Sequence, residues 1–318
     1  MPTWYLIFES LLPLIVLVSL GAGLVRFGFL APAARKQLDR LVYWVCLPAL
    51  LIVKIGLAGG LDIAVGQVAA ALAIATVVAG LIGALGWKLL GGRSDAFGVM
   101  LQGACRGNLA FVGLPVVALG GGSARALAIT AVALAPTVLL YNLLAVSALS
   151  WGRSRADGLG GIALLQVVGK QLLTNPILLA CGAGLALAAS GWTPPQVAVI
   201  SLELIGQPAA SLALMSLGGA LVIYRVRGRL LPASVTACTK LAICPALAGS
   251  LGWWWGFDQD QALATMVLAG APSAVVGYVL VTQIGGDEAL AASIIALTTI
   301  GAAVTLGVVL GVVSIWPV

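Results

Sequence analysis

About ten apolar stretches of roughly twenty residues run through this chain, with only short polar loops between them. Each is long enough to cross a hydrocarbon core as a helix. Lipid offers no water to a free N–H or C=O, so a spanning segment must satisfy its backbone internally, as a helix or in a closed barrel. The expected spans are Leu6–Val25, Leu41–Leu57, Ile63–Leu90, Phe97–Leu119, Ala126–Ser150, Leu164–Ala189, Val197–Tyr224, Ser234–Trp255, Gln261–Ile284 and Leu290–Ile315. The first has no basic residue ahead of it and runs on to Arg26, so it is expected to stay as a span rather than be cleaved.

Composition agrees. The chain has 318 residues, 61% apolar and 8% charged, with a mean hydropathy of +1.14. A soluble domain carries about 25% charged residues, which is what covers its surface in water. The expectation is an all-α polytopic membrane protein in one membrane domain, residues 1–318, with the bilayer as its solvent. The net charge of +6 does not point to nucleic acid, because the basic residues lie in short loops rather than on one folded face. The chain has no histidine, which removes the usual proton shuttle and the commonest transition-metal ligand. Cys46, Cys105, Cys181, Cys238 and Cys244 all fall in apolar segments without paired metal spacing, so they read as packing residues. No cofactor or metal is expected.

Basic residues set the orientation. Arg26, Arg35, Lys36, Arg40, Lys88, Arg93, Arg153, Arg155, Arg225, Arg227 and Arg229 follow the odd-numbered spans, whereas little beyond Arg125 follows the even ones. The odd loops are therefore expected in the cytoplasm and both termini outside.

Two spans carry breakers in their middle. Arg106-Gly107-Asn108, followed by Gly113-Leu114-Pro115, interrupts the fourth. Gly270-Ala271-Pro272-Ser273 interrupts the ninth. Broken backbone at that depth is tolerated only where it is buried in protein or lines a cavity. An ionisable side chain there is a functional-site hypothesis by default. A proline alone is an ordinary membrane-helix kink; paired interruptions in two halves mark a secondary transporter. The halves, residues 1–152 and 162–318, also echo one another. Leu47-Pro48-Ala49 answers Gln207-Pro208-Ala209, and Leu85-Gly86-Trp87 answers Leu251-Gly252-Trp253. Five spans per half is an odd number, so the second half would enter the membrane inverted.

The run Arg106-Gly107-Asn108-Leu109-Ala110-Phe111-Val112-Gly113-Leu114-Pro115 resembles the fourth-helix motif of the auxin efflux carrier family. Pro272 with Gly277-Tyr278 and the Gly285-Gly286-Asp287 turn is similar to the family's ninth-helix motif. The resemblance covers the whole chain. It implies a 5+5 inverted repeat with helices 4 and 9 unwound and crossing in mid-membrane. It implies a dimerising scaffold of spans 1, 2, 6 and 7, and a mobile transport unit of spans 3–5 and 8–10 working by an elevator-type motion. The substrate implied is a small organic anion, a carboxylate or auxin-like acid. The family's coordinating asparagine falls on Asn108, its ninth-helix proline on Pro272, and the polar position after it on Ser273. Gly107 stands where plant members have proline, and the long central loop of those members is missing, so plant-type auxin specificity is not implied.

The chemistry of these residues fits an anion. Unwinding at Gly107 frees peptide N–H groups, and the positive end of a half-helix attracts carboxylates, with Ala271 a further candidate contact beside Pro272. Asn108 can donate to a carboxylate oxygen. Arg106 can grip one with two hydrogen bonds, or turn to an acid such as Glu203. Adjacent positions on a helix diverge, so Arg106 and Asn108 are not expected to reach one ligand together. Ser273 is either a ligand contact or bonded back to its own turn. Glu203 and Lys240 form either a structural ion pair or a coupling element. Asn175-Pro176 looks like a helix start, and an interfacial turn is expected near Lys170.

The coupling ion, a proton, sodium or none, is left open by these residues. A sodium-coupled organic-anion symporter of the bile-acid type is the alternative within transport. An intramembrane enzyme is the alternative outside it; no histidine and no Ser–Lys pair on one helix supports it, and the chain is expected not to be an enzyme.

Overall fold

The computed structural model describes residues 3–57, 63–120, 122–153, 174, 176–224 and 229–317. The turn expected near Lys170, the Asn175 helix start and most of the connection between the two halves lie outside them. Among the described residues every element is helical except one isolated antiparallel bridge, Gly107 with Ser273.

Helix α1 (Thr3–Arg26) covers the first expected span. The basic stretch after it, expected as a loop, is instead helix α2 (Pro32–Leu41), opened by a proline in its first turn, where a missing N–H costs nothing. Arg35 and Asp39 stand one turn apart and pair at 2.9 Å. Arg35 also donates to Ser216 at 3.1 Å, and Ser216 donates to Asp39. This three-way pairing lets the Arg35 side chain bury, so the segment packs as a helix rather than floating as a charged loop.

Three π turns follow one rule. They are Val42–Cys46, Leu109–Gly113 and Thr239–Ile243, and each ends two residues before a proline: Pro48, Pro115 and Pro245. A proline has no N–H to give, and its ring collides with the carbonyl four residues back. In all three cases the residue before the proline donates five residues back: Leu47 to Val42, Leu114 to Leu109 and Cys244 to Thr239. The wider turn makes room for the ring while the backbone stays bonded.

The remaining helices are α3 (Leu47–Gly56), α4 (Ile63–Leu89), α5 (Ser94–Cys105), α6 (Leu114–Leu119), α7 (Ala124–Arg153), α8 (Pro176–Ser190) and α9 (Gln196–Gly206). Then come α10 (Ala209–Ile223), α11 (Leu230–Cys238), α12 (Cys244–Trp254), α13 (Gln259–Gly270), α14 (Val276–Ile284) and α15 (Glu288–Ser314). Five helical segments among the described residues are long and apolar enough to cross a membrane: Val65–Leu89, Ala124–Leu149, Gln196–Ile223, Leu230–Trp254 and Glu288–Ser314. The stretches expected as the fourth and ninth spans are each cut into shorter helices, α5 with α6 and α13 with α14.

Helix α1 packs along α10, and α3 lies against α8 and α9. Helices α4, α5 and α7 pack on one another, α12 and α13 lean on α4, and α11 and α13 contact α15. The α1–α10 seam has no room for side chains. A methyl group at Gly21 would overlap the Met215 carbonyl, and one at Gly218 would overlap the Val18 carbonyl. Such backbone approach is how helices associate where lipid supplies no hydrophobic drive.

Loops gather at two ends. At one, the Asp287 N–H donates to the Asp95 carbonyl at 2.9 Å, Arg93 pairs with Asp95 at 2.6 Å, and Arg229 reaches the Leu90 carbonyl at 3.4 Å. At another, Arg125 pairs with Asp258 at 2.8 Å and Ser123 donates to Asp260 at 2.8 Å. Asp258 also opens α13 with a capping box, exchanging bonds with Gln261. Buried charge is one-sided. Among the described residues Arg35, Arg106 and Lys240 are buried and no aspartate or glutamate is.

Candidate functional site

Two helix ends meet inside the bundle. Helix α5 stops at Cys105, and Arg106 takes up extended backbone, φ −85° and ψ 107°. Helix α13 stops at Gly270, and Ala271 is extended in turn, φ −59° and ψ 138°. The extended pieces join through two backbone bonds: Asn108 donates to the Pro272 carbonyl at 2.7 Å, and Ala274 donates to the Arg106 carbonyl at 3.2 Å. Between these bonds lies the Gly107–Ser273 bridge. Backbone groups freed by two broken helices thus satisfy each other.

The carbonyls left over at the two helix ends have different partners. Ser273 donates its hydroxyl to the Gly103 carbonyl of α5 at 2.6 Å rather than back to its own turn. Its N–H donates to Thr298 Oγ1 at 3.1 Å. At the end of α13, the Lys240 ammonium donates to the Ala269 carbonyl at 2.5 Å. No ion pair joins Lys240 to Glu203: Glu203 is exposed on α9, while Lys240 is 1% exposed and bonded to backbone. The expected pairing fails because Lys240 sits on a π turn that directs it to a helix end, where carbonyls already draw a cation.

Arg106 is the unsatisfied group. It is 6% exposed, and its Nε and Nη1 have no hydrogen-bond partner. Its guanidinium carbon stands 5.1 Å from the ring centroid of Tyr141 on α7, a cation–π contact. No carboxylate pairs with it among the described residues. A buried cation without a counter-charge is costly, by several kcal/mol per ion even after relaxation.

A small, part-open cavity of about 20 Å³ lies beside this group. Gln102, Gly103, Arg106, Ser273, Gly277 and Tyr278 are among its lining residues. Gln102 donates to the Gly277 carbonyl at 3.2 Å and leaves its own amide oxygen unpartnered. Tyr278 packs edge-on against Tyr224, ring centroids 5.1 Å apart, with its hydroxyl 3.4 Å from Glu288. Gly107, Asn108, Ala271 and Pro272 belong to the joined backbone but not to the lining of this cavity.

The extended backbone changes how Arg106 and Asn108 relate. On a helix they diverge, whereas on an extended segment positions i and i+2 lie on the same side. The Asn108 side chain has no hydrogen-bond partner among the described residues. Its carbonyl accepts from Val112 at 3.0 Å and Gly113 at 3.3 Å, while the N–H groups of Leu109, Ala110 and Phe111 find no acceptor among the described residues. The helical piece after the break therefore presents free donors, the positive end of a helix. Gln102, Thr298 and the aromatic partner Tyr141 join this site only through the fold. Gln102 lies one turn before Arg106 and Tyr141 beside Asn142, each in an apolar span, and polar side chains at that depth are the signal for both.

This is a multi-pass helical membrane protein that keeps a polar site inside its bundle, at two joined helix ends. The family model described as membrane transport protein matches residues 6–157 and 161–310, and the chain belongs to this family, that of the auxin efflux carriers. No curated protein matches it.

Proposed function

We propose that the protein is a secondary transporter of a small organic anion, bound at the junction of the two broken helices. One observation carries this: Arg106 is buried beside the cavity with two guanidinium nitrogens unpartnered and no carboxylate to pair with among the described residues. A carboxylate supplied by the substrate completes it with two charge-assisted bonds. The buried charge, positive throughout among the described residues, favours an anion over a cation. The free N–H groups of Leu109–Phe111 and the Asn108 amide add donors on the same junction.

In this reading the ten expected spans form a 5+5 inverted repeat, and the two broken spans cross at the bridge. Helices α1, α2, α3, α8, α9 and α10 make up the scaffold through which two copies pair as a homodimer. Helices α4–α7 and α11–α15 carry the substrate across as one elevator-like unit. Both termini lie outside a bacterial inner membrane. The conclusion is a carrier, not an enzyme.

The test is a thermal-shift screen of the purified protein against mono- and dicarboxylates, with Asn108→Ala alongside. Ligands that bind only the folded state raise the melting temperature. Stabilisation of the parent protein by a short carboxylate, lost in a folded Asn108→Ala variant, supports the site. No response to any carboxylate overturns it.

A further inference from the structure

Lys240 is among the largest side chains that are fully buried, and it is a cation. It rises from the π turn Thr239–Ile243 and ends on the Ala269 carbonyl at 2.5 Å. That carbonyl belongs to the last turn of α13, one of the four that a helix leaves without an internal partner. The same ammonium lies 3.5 Å from where a side chain on Gly107 would begin, so it touches both sides of the junction. Cys244 Sγ, 4.0 Å away, is the other side-chain contact. No carboxylate pairs with it among the described residues. Neither its burial nor its position is explained by an ion pair.

The partners are those a bare cation takes. In carriers with interrupted helices, unwound carbonyls and the C-terminal ends of half-helices coordinate the coupling ion. Here the equivalent end is already occupied by a charge tethered to the chain. At the other helix end the Gly103 carbonyl is met by the neutral Ser273 hydroxyl, so the two ends differ in charge.

We infer that the Lys240 ammonium is a built-in substitute for a coupling cation: it holds the α13 end against the Gly107 strand and lets the junction form without sodium. This deepens the anion-carrier reading and rests on it only for the word coupling; the cation site itself is independent of any substrate.

The experiment follows thermal stability with no carboxylate present, so its failure is separate from failure of the anion site. The parent protein, Lys240→Ala and Lys240→Met are each melted in choline chloride, sodium chloride and methylammonium chloride. The parent should melt at one temperature in all three. Lys240→Ala leaves a cation-sized vacancy and should melt lower in choline, with the loss recovered progressively by methylammonium or sodium. Lys240→Met fills the space without charge and should ignore every cation. Specific stabilisation of the parent by sodium over choline overturns the inference, even where the variants do not fold. So does a Lys240→Ala variant as indifferent to small cations as the parent.

Discussion

Ser273 gives its hydroxyl proton to the carbonyl of Gly103, 2.6 Å away, and so one broken helix closes the end of the other. The two residues are far apart in the chain and adjacent only because both helices stop where they do. Ser273→Ala leaves the buried Gly103 carbonyl without this donor, at a cost of about 1–3 kcal/mol. The expected result is a lower melting temperature with carboxylate affinity largely kept. A variant that melts with the parent would show that the bond contributes nothing.

Arg106→Gln removes a buried charge that has no counter-ion among the described residues, so it strands no partner. The unliganded fold should be as stable as the parent or more so, while stabilisation by carboxylates disappears. Arg106→Lys keeps the charge but not the fork, and should weaken binding by about tenfold, near 1.4 kcal/mol. Isothermal titration with a short dicarboxylate reads both; equal affinity in all three proteins would remove the guanidinium from the site.

Gly218→Ala forces a methyl group into the Val18 backbone. Backbone cannot rotate away as a side chain can, so the cost should reach or exceed the about 1–3 kcal/mol of ordinary overpacking. Yield of monodisperse protein and its melting temperature are the readouts. A change to alanine at Gly182, which faces open space, is the control and should be tolerated.

Asp95 stands at the start of α5, and hydrogen bonds from Arg93 hold its carboxyl below the ordinary 3.8. A depressed acid stabilises the fold above its unfolded pKa and loses that contribution as pH falls from 3.8 through the lower folded value. The pair is largely exposed, so the effect is small. Melting curves of the parent should therefore fall more steeply below about pH 4 than those of Arg93→Gln; parallel curves would count against the pairing.

The breaks were legible in the sequence because glycine, proline and arginine do not belong together at membrane depth. Membership of the transport family was legible from the same residues and is borne out by the match over both halves. The partners were not legible. That Ser273 serves Gly103 and Lys240 serves Ala269 depends on which helix end lies beside which, a long-range fact that no local spacing encodes. A count of single charges predicts a loop at Pro32–Leu41; the Arg35–Asp39 spacing, one turn apart, is the local signal for the helix found there. The π turns lie in runs whose apolar pattern looks continuous; the later proline is the mark of each.

The seam between α1 and α10, where Gly21 and Gly218 bring main chains into contact, has no rotamers with which to absorb a shift. Two rods touching spine to spine cannot ratchet past each other by re-seating their side chains, as looser helix pairs do. Whatever rearrangement accompanies turnover, this pair must travel or stand still as a single beam, and the flexing has to be taken up at joints elsewhere.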